Sequence, residues 1–178
     1  MSAVLRAQFV PIPAPQVSTR PIVMRIKASA KGAGGYPIEI GFVLEDRSTF
    51  CTLIRPTTGW TAWYEPAEVA HGITRDILQQ HGRDVADVAA LLDRQLAGRT
   101  VHCTGWTEAY SLLQMLYDAA ERRLTFHLES LDSLLSPQEV TRFKQARDDI
   151  RSRQGVRRHR ASADAKLDQQ AFYETRTG

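Results

Sequence analysis

Cysteine is scarce in this sequence: Cys51 and Cys103 are the two in 178 residues, far apart and with no CxxC partner. That argues against a disulfide framework or a thiolate zinc site and fits two reduced thiols. No stretch approaches the roughly 18 uninterrupted apolar residues that a membrane helix needs. Positions 1–10 carry one arginine and no long apolar run, which makes a poor secretory signal. A cytoplasmic protein with no membrane partner is the expectation. Internal repeats are also lacking. What remains is enough for one domain: 43% of the residues are hydrophobic, and domains usually run to about 100–200 residues.

The net charge of +3 is unevenly spread. Between positions 142 and 160 stand eight basic residues (Arg142, Lys144, Arg147, Arg151, Arg153, Arg157, Arg158, Arg160) against Asp148 and Asp149. The rest of the chain has more acids than bases. Such a local excess suits a positive patch able to track phosphates, or a solvated helix face in which Lys144, Asp148 and Arg151 pair at helical spacing.

Prolines 11, 13 and 15 fix φ and remove donors, so residues 1–20 are expected to form an extended tail, with the folded domain over 21–178. Strands are expected over 22–27, 36–44 and 49–54, the last two pairing antiparallel across a short turn at 45–48. The glycine-rich stretch 29–35 ends the first of them. Helical spacing of apolar residues predicts helices over 65–71, 74–81, 85–96, 108–122 and 137–154, with further strands at 100–103 and 126–131. Ser136 before Pro137 reads as a helix start, and Ser162 as the cap of a last helix reaching about 174. Three meandering strands followed by alternating strands and helices imply an α/β domain, a mixed sheet flanked by helices.

Four stretches together resemble the DEDDh 3′–5′ exonuclease superfamily, which includes ribonuclease T and the proofreading subunits of bacterial polymerases. They are the first strand with its glycine-rich exit (25–35), PIEIG at 37–41, HGIT at 71–74 and HRASAD at 159–164. In order and spacing they span about 21–175, and they imply a ribonuclease H-like fold. Members of that family hold two divalent metals on four acidic residues, with a histidine as general base. Hard Mg²⁺ or Mn²⁺ ions take oxygen ligands, and a metal pair supplies both the hydroxide and the leaving-group stabilisation that phosphodiester cleavage requires.

The resemblance breaks at the ligands. Its first motif, Asp-x-Glu on the first strand, falls on Arg25 and Lys27, and its second falls near Ala109, with Glu108 adjacent. His159 and Asp164 alone keep the third. A cation facing Arg25 and Lys27 would meet repulsion on the order of several kcal/mol per unit charge at ~4 Å and an effective dielectric near 20. Metal binding of the family's kind is therefore not expected, and no cofactor is.

One expectation is that Lys27 or Arg25 pairs with Asp164, a cation standing where a metal would; the other is that both cations reach solvent. His159 and Asp164 read as catalytic relics. Arg25, Lys27, His71, Arg157, Arg158 and Arg160 read as residues binding a substrate's phosphates. The leading reading is an inactive exonuclease-like protein, a pseudoenzyme, whose basic cleft binds single-stranded nucleic-acid ends or a protein partner. Two alternatives are an active exonuclease using Mg²⁺ or Mn²⁺ on Asp164, Glu39 and Glu108, and a protein-interaction module with no nucleic-acid role. Cys103 and His102 are neighbours on a strand, hence on opposite faces, and make no nucleophile pair. Trp60, Trp63 and Trp106 suit packing better than base stacking.

Overall fold

The structure, a computed structural model, describes residues 20–32, 34–155 and 159–178. The expected proline-rich tail lies outside the described residues except for Arg20, and so do Arg157 and Arg158.

Five strands, β1 (Val23–Ala28), β2 (Pro37–Val43), β3 (Thr49–Leu53), β4 (Thr100–Cys103) and β5 (His127–Ser130), form one sheet in the order β3-β2-β1-β4-β5. The meander β1–β2–β3 is antiparallel, whereas β4 joins β1 and β5 in parallel. Parallel neighbours need crossovers, and the helices supply them. These are α1 (Glu65–His71), α2 (Arg75–His81), α3 (Val85–Leu96), α4 (Trp106–Ala119), α5 (Pro137–Gln154) and α6 (Ala161–Thr177), with a 3₁₀ turn at Leu131–Leu134 before α5. This is the mixed α/β sheet flanked by helices that the sequence pattern implied, and the ribonuclease H-like architecture that the resemblance implied.

Alternation along β1 and β2 sorts their side chains between two layers. Met24, Ile40 and Phe42 join Leu92, Leu113 and Leu116 in the core under α3 and α4. On the other face Val23 and Val43 pack with Phe143, Ile150, Ala165 and Phe172 of α5 and α6. Arg25, Lys27 and Glu39 share the Val23 face, where register sets Arg25 opposite Gly41 and Lys27 opposite Glu39. The helix covering that face can come close only because position 41 is glycine. A Cβ there would lie 2.5 Å from the Ser162 nitrogen and 2.9 Å from the Ala161 carbonyl carbon.

The start of α6 corrects one expectation. Arg160, not Ser162, is the residue before the helix, it provides no side-chain cap, and Ser162 lies inside the first turn. Glu39 caps the helix from outside: its Oε2 accepts the Ala161 N–H at 2.7 Å. A carboxylate there satisfies an orphan donor and complements the positive end of the helix dipole. Pro137 does open α5, and Ser136 and Glu139 complete a reciprocal capping box before it.

Candidate functional site

Where β1 ends beneath α6, two cations meet two carboxylates. Lys27 Nζ stands 2.5 Å from Asp164 Oδ2. One step back along the strand, Arg25 reaches Asp168 Oδ2 at 3.4 Å. The spacings match: side chains two apart on a strand repeat at roughly 6.6 Å, and those four apart on a helix at about 6.0 Å. Asp168 is fully buried and takes two further partners, Arg147 of α5 at 2.7 Å and the Thr104 hydroxyl at 3.0 Å. Of the two cations expected to offer a partner to Asp164, Lys27 takes it, and Arg25 takes Asp168 instead.

These partners decide the protonation of the acids. Burial alone would raise the Asp164 pKa, but the Lys27 hydrogen bond and charge, helped by Arg25 and His159, hold it below the usual aspartate value. Burial raises the Asp168 pKa, and Arg25, Arg147 and Thr104 pull it back. Among the described residues Asp164 Oδ1 accepts no hydrogen bond; His159 Nδ1 is 3.7 Å away.

A cleft of about 420 Å³ opens beside this network. Arg25 and Lys27 form part of its floor, Tyr64, Pro66 and Ala67 make an apolar wall, and Lys31, His71, Glu108 and His159 stand around it. The side chains of Arg25 and Lys27 are 24% and 13% exposed, so neither is free in solvent. His71, the buried last residue of α1, accepts the Ile73 N–H at its Nδ1, 3.1 Å away. Burial, then the charge of Lys27, lowers its pKa. The ring is therefore neutral with its proton on Nε2, a buried donor without a hydrogen-bond partner among the described residues. His71 is thus neither base nor cation here.

Other candidates move to other roles. Arg160 is tied to Glu39 through its Nε at 2.7 Å and also through its second terminal nitrogen. With Ala161 and the Cys51 thiol on the same carboxylate, Glu39 belongs to the α6 junction, not the cleft. Ala109 of α4 packs into the core, while exposed Glu108 faces the cleft, so the position to which the resemblance assigned the second motif faces inward and its neighbour faces the site. Lys144, Asp148 and Arg151 make no ion pair with one another; the basic face of α5 instead sends Arg147 to Asp168 and Arg153 to Glu174. Burial pushes the Cys103 thiol up to about 12, which silences it as a nucleophile at neutral pH. Trp60 stacks on Tyr36 with centroids 5.4 Å apart, and Trp63 donates to Glu68 at 2.8 Å. Trp106 stays 40% exposed, stacked on Tyr110.

The metal pair that such a fold implies does not fit these residues. The two carboxylates aimed at the site are each bound by a cation, and four positive side chains (Arg25, Lys27, Lys31, Arg147) surround three negative ones (Asp164, Asp168, Glu108). Among the described residues, no group of three or more His, Cys, Asp or Glu side chains is placed to hold an ion. Sequence reading missed Asp168 and Thr104, and placed Arg147 only in the basic patch over 142–160. Asp168 had a signal, since it stands four residues after Asp164 on the same helix face; Arg147 and Thr104 had none.

No family model matches the sequence, and no curated protein does. The fold does match solved structures. E. coli exonuclease I in complex with a dT13 oligonucleotide superposes at a TM-score of 0.66 with 10% identity, over 88% of this chain and 40% of that one. A moderately thermophilic exonuclease I from Methylocaldum szegediense superposes at 0.58 with 12% identity, also over 88% of this chain and 40% of that one. The likeness is one of fold, that of exonuclease I, and the chain spans about two fifths of the length of those exonucleases. Among the described residues no helix is long and apolar enough to cross a membrane.

Proposed function

We propose that residues 21–178 form an exonuclease-like domain that has exchanged hydrolysis for binding, holding the end of a single-stranded nucleic acid in the cleft beside β1. The observation that carries this reading is the double pairing of Lys27 with Asp164 and Arg25 with Asp168. Cations occupy the strand positions where hydrolysis by this fold places metal ligands, and they consume the carboxylates left over. Without metals in that place, His159 would have no metal-bound water to deprotonate. Phosphate oxygens, by contrast, find Lys31, Lys27 and Arg25 on one side, and an apolar wall led by Tyr64 for a sugar or base. The neighbours solved with oligonucleotides support a nucleic-acid ligand for a cleft of this kind.

The rival reading, an active enzyme with Mg²⁺ or Mn²⁺ on Asp164, Glu39 and Glu108, has less support. Glu39 is spent on Arg160 and the α6 N-terminus, and Asp164 on Lys27. A cytoplasmic setting fits the two free thiols.

The test is anisotropy of a labelled single-stranded oligonucleotide titrated with the full chain at several salt concentrations. Binding that weakens steeply with salt, and falls about tenfold in Lys31→Glu, supports the reading. Lys31 is exposed at the cleft, so this substitution leaves the core intact. Absence of binding at low salt, or degradation of the strand with added Mn²⁺, overturns it.

A further inference from the structure

A second cavity, about 530 Å³, lies in the seam where α5, α6 and the β2–β3 turn meet. It shares no residue with the cleft. On α6, Lys166 lies two positions from both Asp164 and Asp168, a rotation of about 200° that turns it away from the sheet. Ile150 and Leu167 give the seam a buried apolar floor, and Arg47, Arg153 and Lys166 bring three cations to it against the single carboxylate of Glu174.

That carboxylate is already engaged, by Arg153 at 3.4 Å and by the Gln170 amide at 2.9 Å. Arg47 and Lys166 have no side-chain hydrogen bond or ion pair among the described residues. Arg47 is also backbone-strained. Its φ is 72°, the left-handed region, in the tight turn where Arg47 N–H donates to Leu44 O and Ser48 folds onto Asp46. Glycine is the residue that occupies such a position without steric cost, and a long cation there is worth keeping for its side chain. The volume is in the range of small-ligand pockets, and two uncommitted cations over an apolar floor suit phosphate oxygens attached to a carbon framework.

We propose that this seam is a second binding site, for a phosphate-bearing ligand, with Arg47 and Lys166 taking the phosphate oxygens. The ligand is either a nucleic-acid backbone or a free oligophosphate, and the site is independent of the cleft reading because no residue serves both.

The experiment titrates the full chain with sodium tripolyphosphate by calorimetry and with a labelled single-stranded oligonucleotide by anisotropy, comparing the natural protein with Arg47→Gly, Lys166→Gln and the double variant. Arg47→Gly relieves the left-handed position, so Tm should hold or rise while affinity falls, a combination that a purely structural arginine would not give. Each single variant should weaken binding about tenfold and lower the salt dependence by about one contact. A loss with both probes assigns the site to a nucleic-acid backbone, and a loss with tripolyphosphate alone assigns it to a free oligophosphate. If the double variant binds both probes as tightly as the natural chain, the proposal is wrong, whatever Lys31→Glu does at the cleft.

Discussion

Lys27 Nζ and Asp164 Oδ2 meet at 2.5 Å, joining the end of β1 to the first turn of α6, with side chains 13% and 4% exposed. In a low-dielectric setting such a pair tolerates the loss of both members far better than the loss of one. Lys27→Met should strand a buried carboxylate and cost about 3–5 kcal/mol, read as a lower urea midpoint. Adding Asp164→Asn should recover most of that loss. A Lys27→Met protein as stable as the natural one would mean that the pair does not form.

The same pair sets an acid limit. The Asp164 pKa is held below its unfolded value, so its contribution to stability is complete above the unfolded pKa, near 4, and is lost as pH falls through the folded value. Asp168 has the opposite sign: its raised pKa gives a contribution that is complete at low pH and fades as pH rises through the folded value. Because Asp168 opposes Asp164, the readout is a difference: the gap in urea midpoint between the natural protein and Asp164→Asn should close as pH falls from 7 to 2. A gap that does not change with pH would contradict the assignment.

Gly41 controls the approach of α6 to the sheet. Gly41→Ala places a methyl group 2.5 Å from the Ser162 nitrogen, against backbone and not a movable side chain. The helix must shift, and a cost of about 1–3 kcal/mol is expected, together with weaker oligonucleotide binding, because Asp164 and its partner move with the helix. A variant with unchanged Tm and affinity would show that α6 has slack at this point.

Much of the architecture was legible in the sequence because local signals agreed with the fold. The helices Glu65–His71, Val85–Leu96 and Pro137–Gln154 fall where apolar spacing and prolines set them. Boundaries shifted where a tertiary contact replaced a local cue: Glu39 of β2 caps α6, so Ser162 is not needed. The placing of Arg25 and Lys27 on the first strand beside Asp164 was legible through the resemblance to an exonuclease pattern, and the further acid at Asp168 had a signal in helical spacing. Arg147 and Thr104, by contrast, reach Asp168 from elements distant in sequence. Composition suggested a continuous basic patch over 142–160, yet Arg147, Arg153 and Arg160 are each bound to a carboxylate, which pairwise spacing within one helix could not reveal.

Restoring the sign of β1 should restore an ion site. In the variant Arg25→Asp with Lys27→Glu, the new acids would face Asp164 and Asp168, with Glu108 across the cleft. Calorimetry with Mn²⁺ should then show heats of binding that the natural chain lacks. If the doubly substituted, folded protein takes up no Mn²⁺, the strand positions do not correspond to ligand positions.

The most direct measurement is the anomalous difference density of crystals of the natural chain soaked in Mn²⁺. The expected map has no peak between β1 and α6, where the ammonium of Lys27 already fills the space before Asp164. Two ions there, bonded to Asp164 at ordinary metal–oxygen lengths, would contradict the claim that cationic side chains have taken the place of metals.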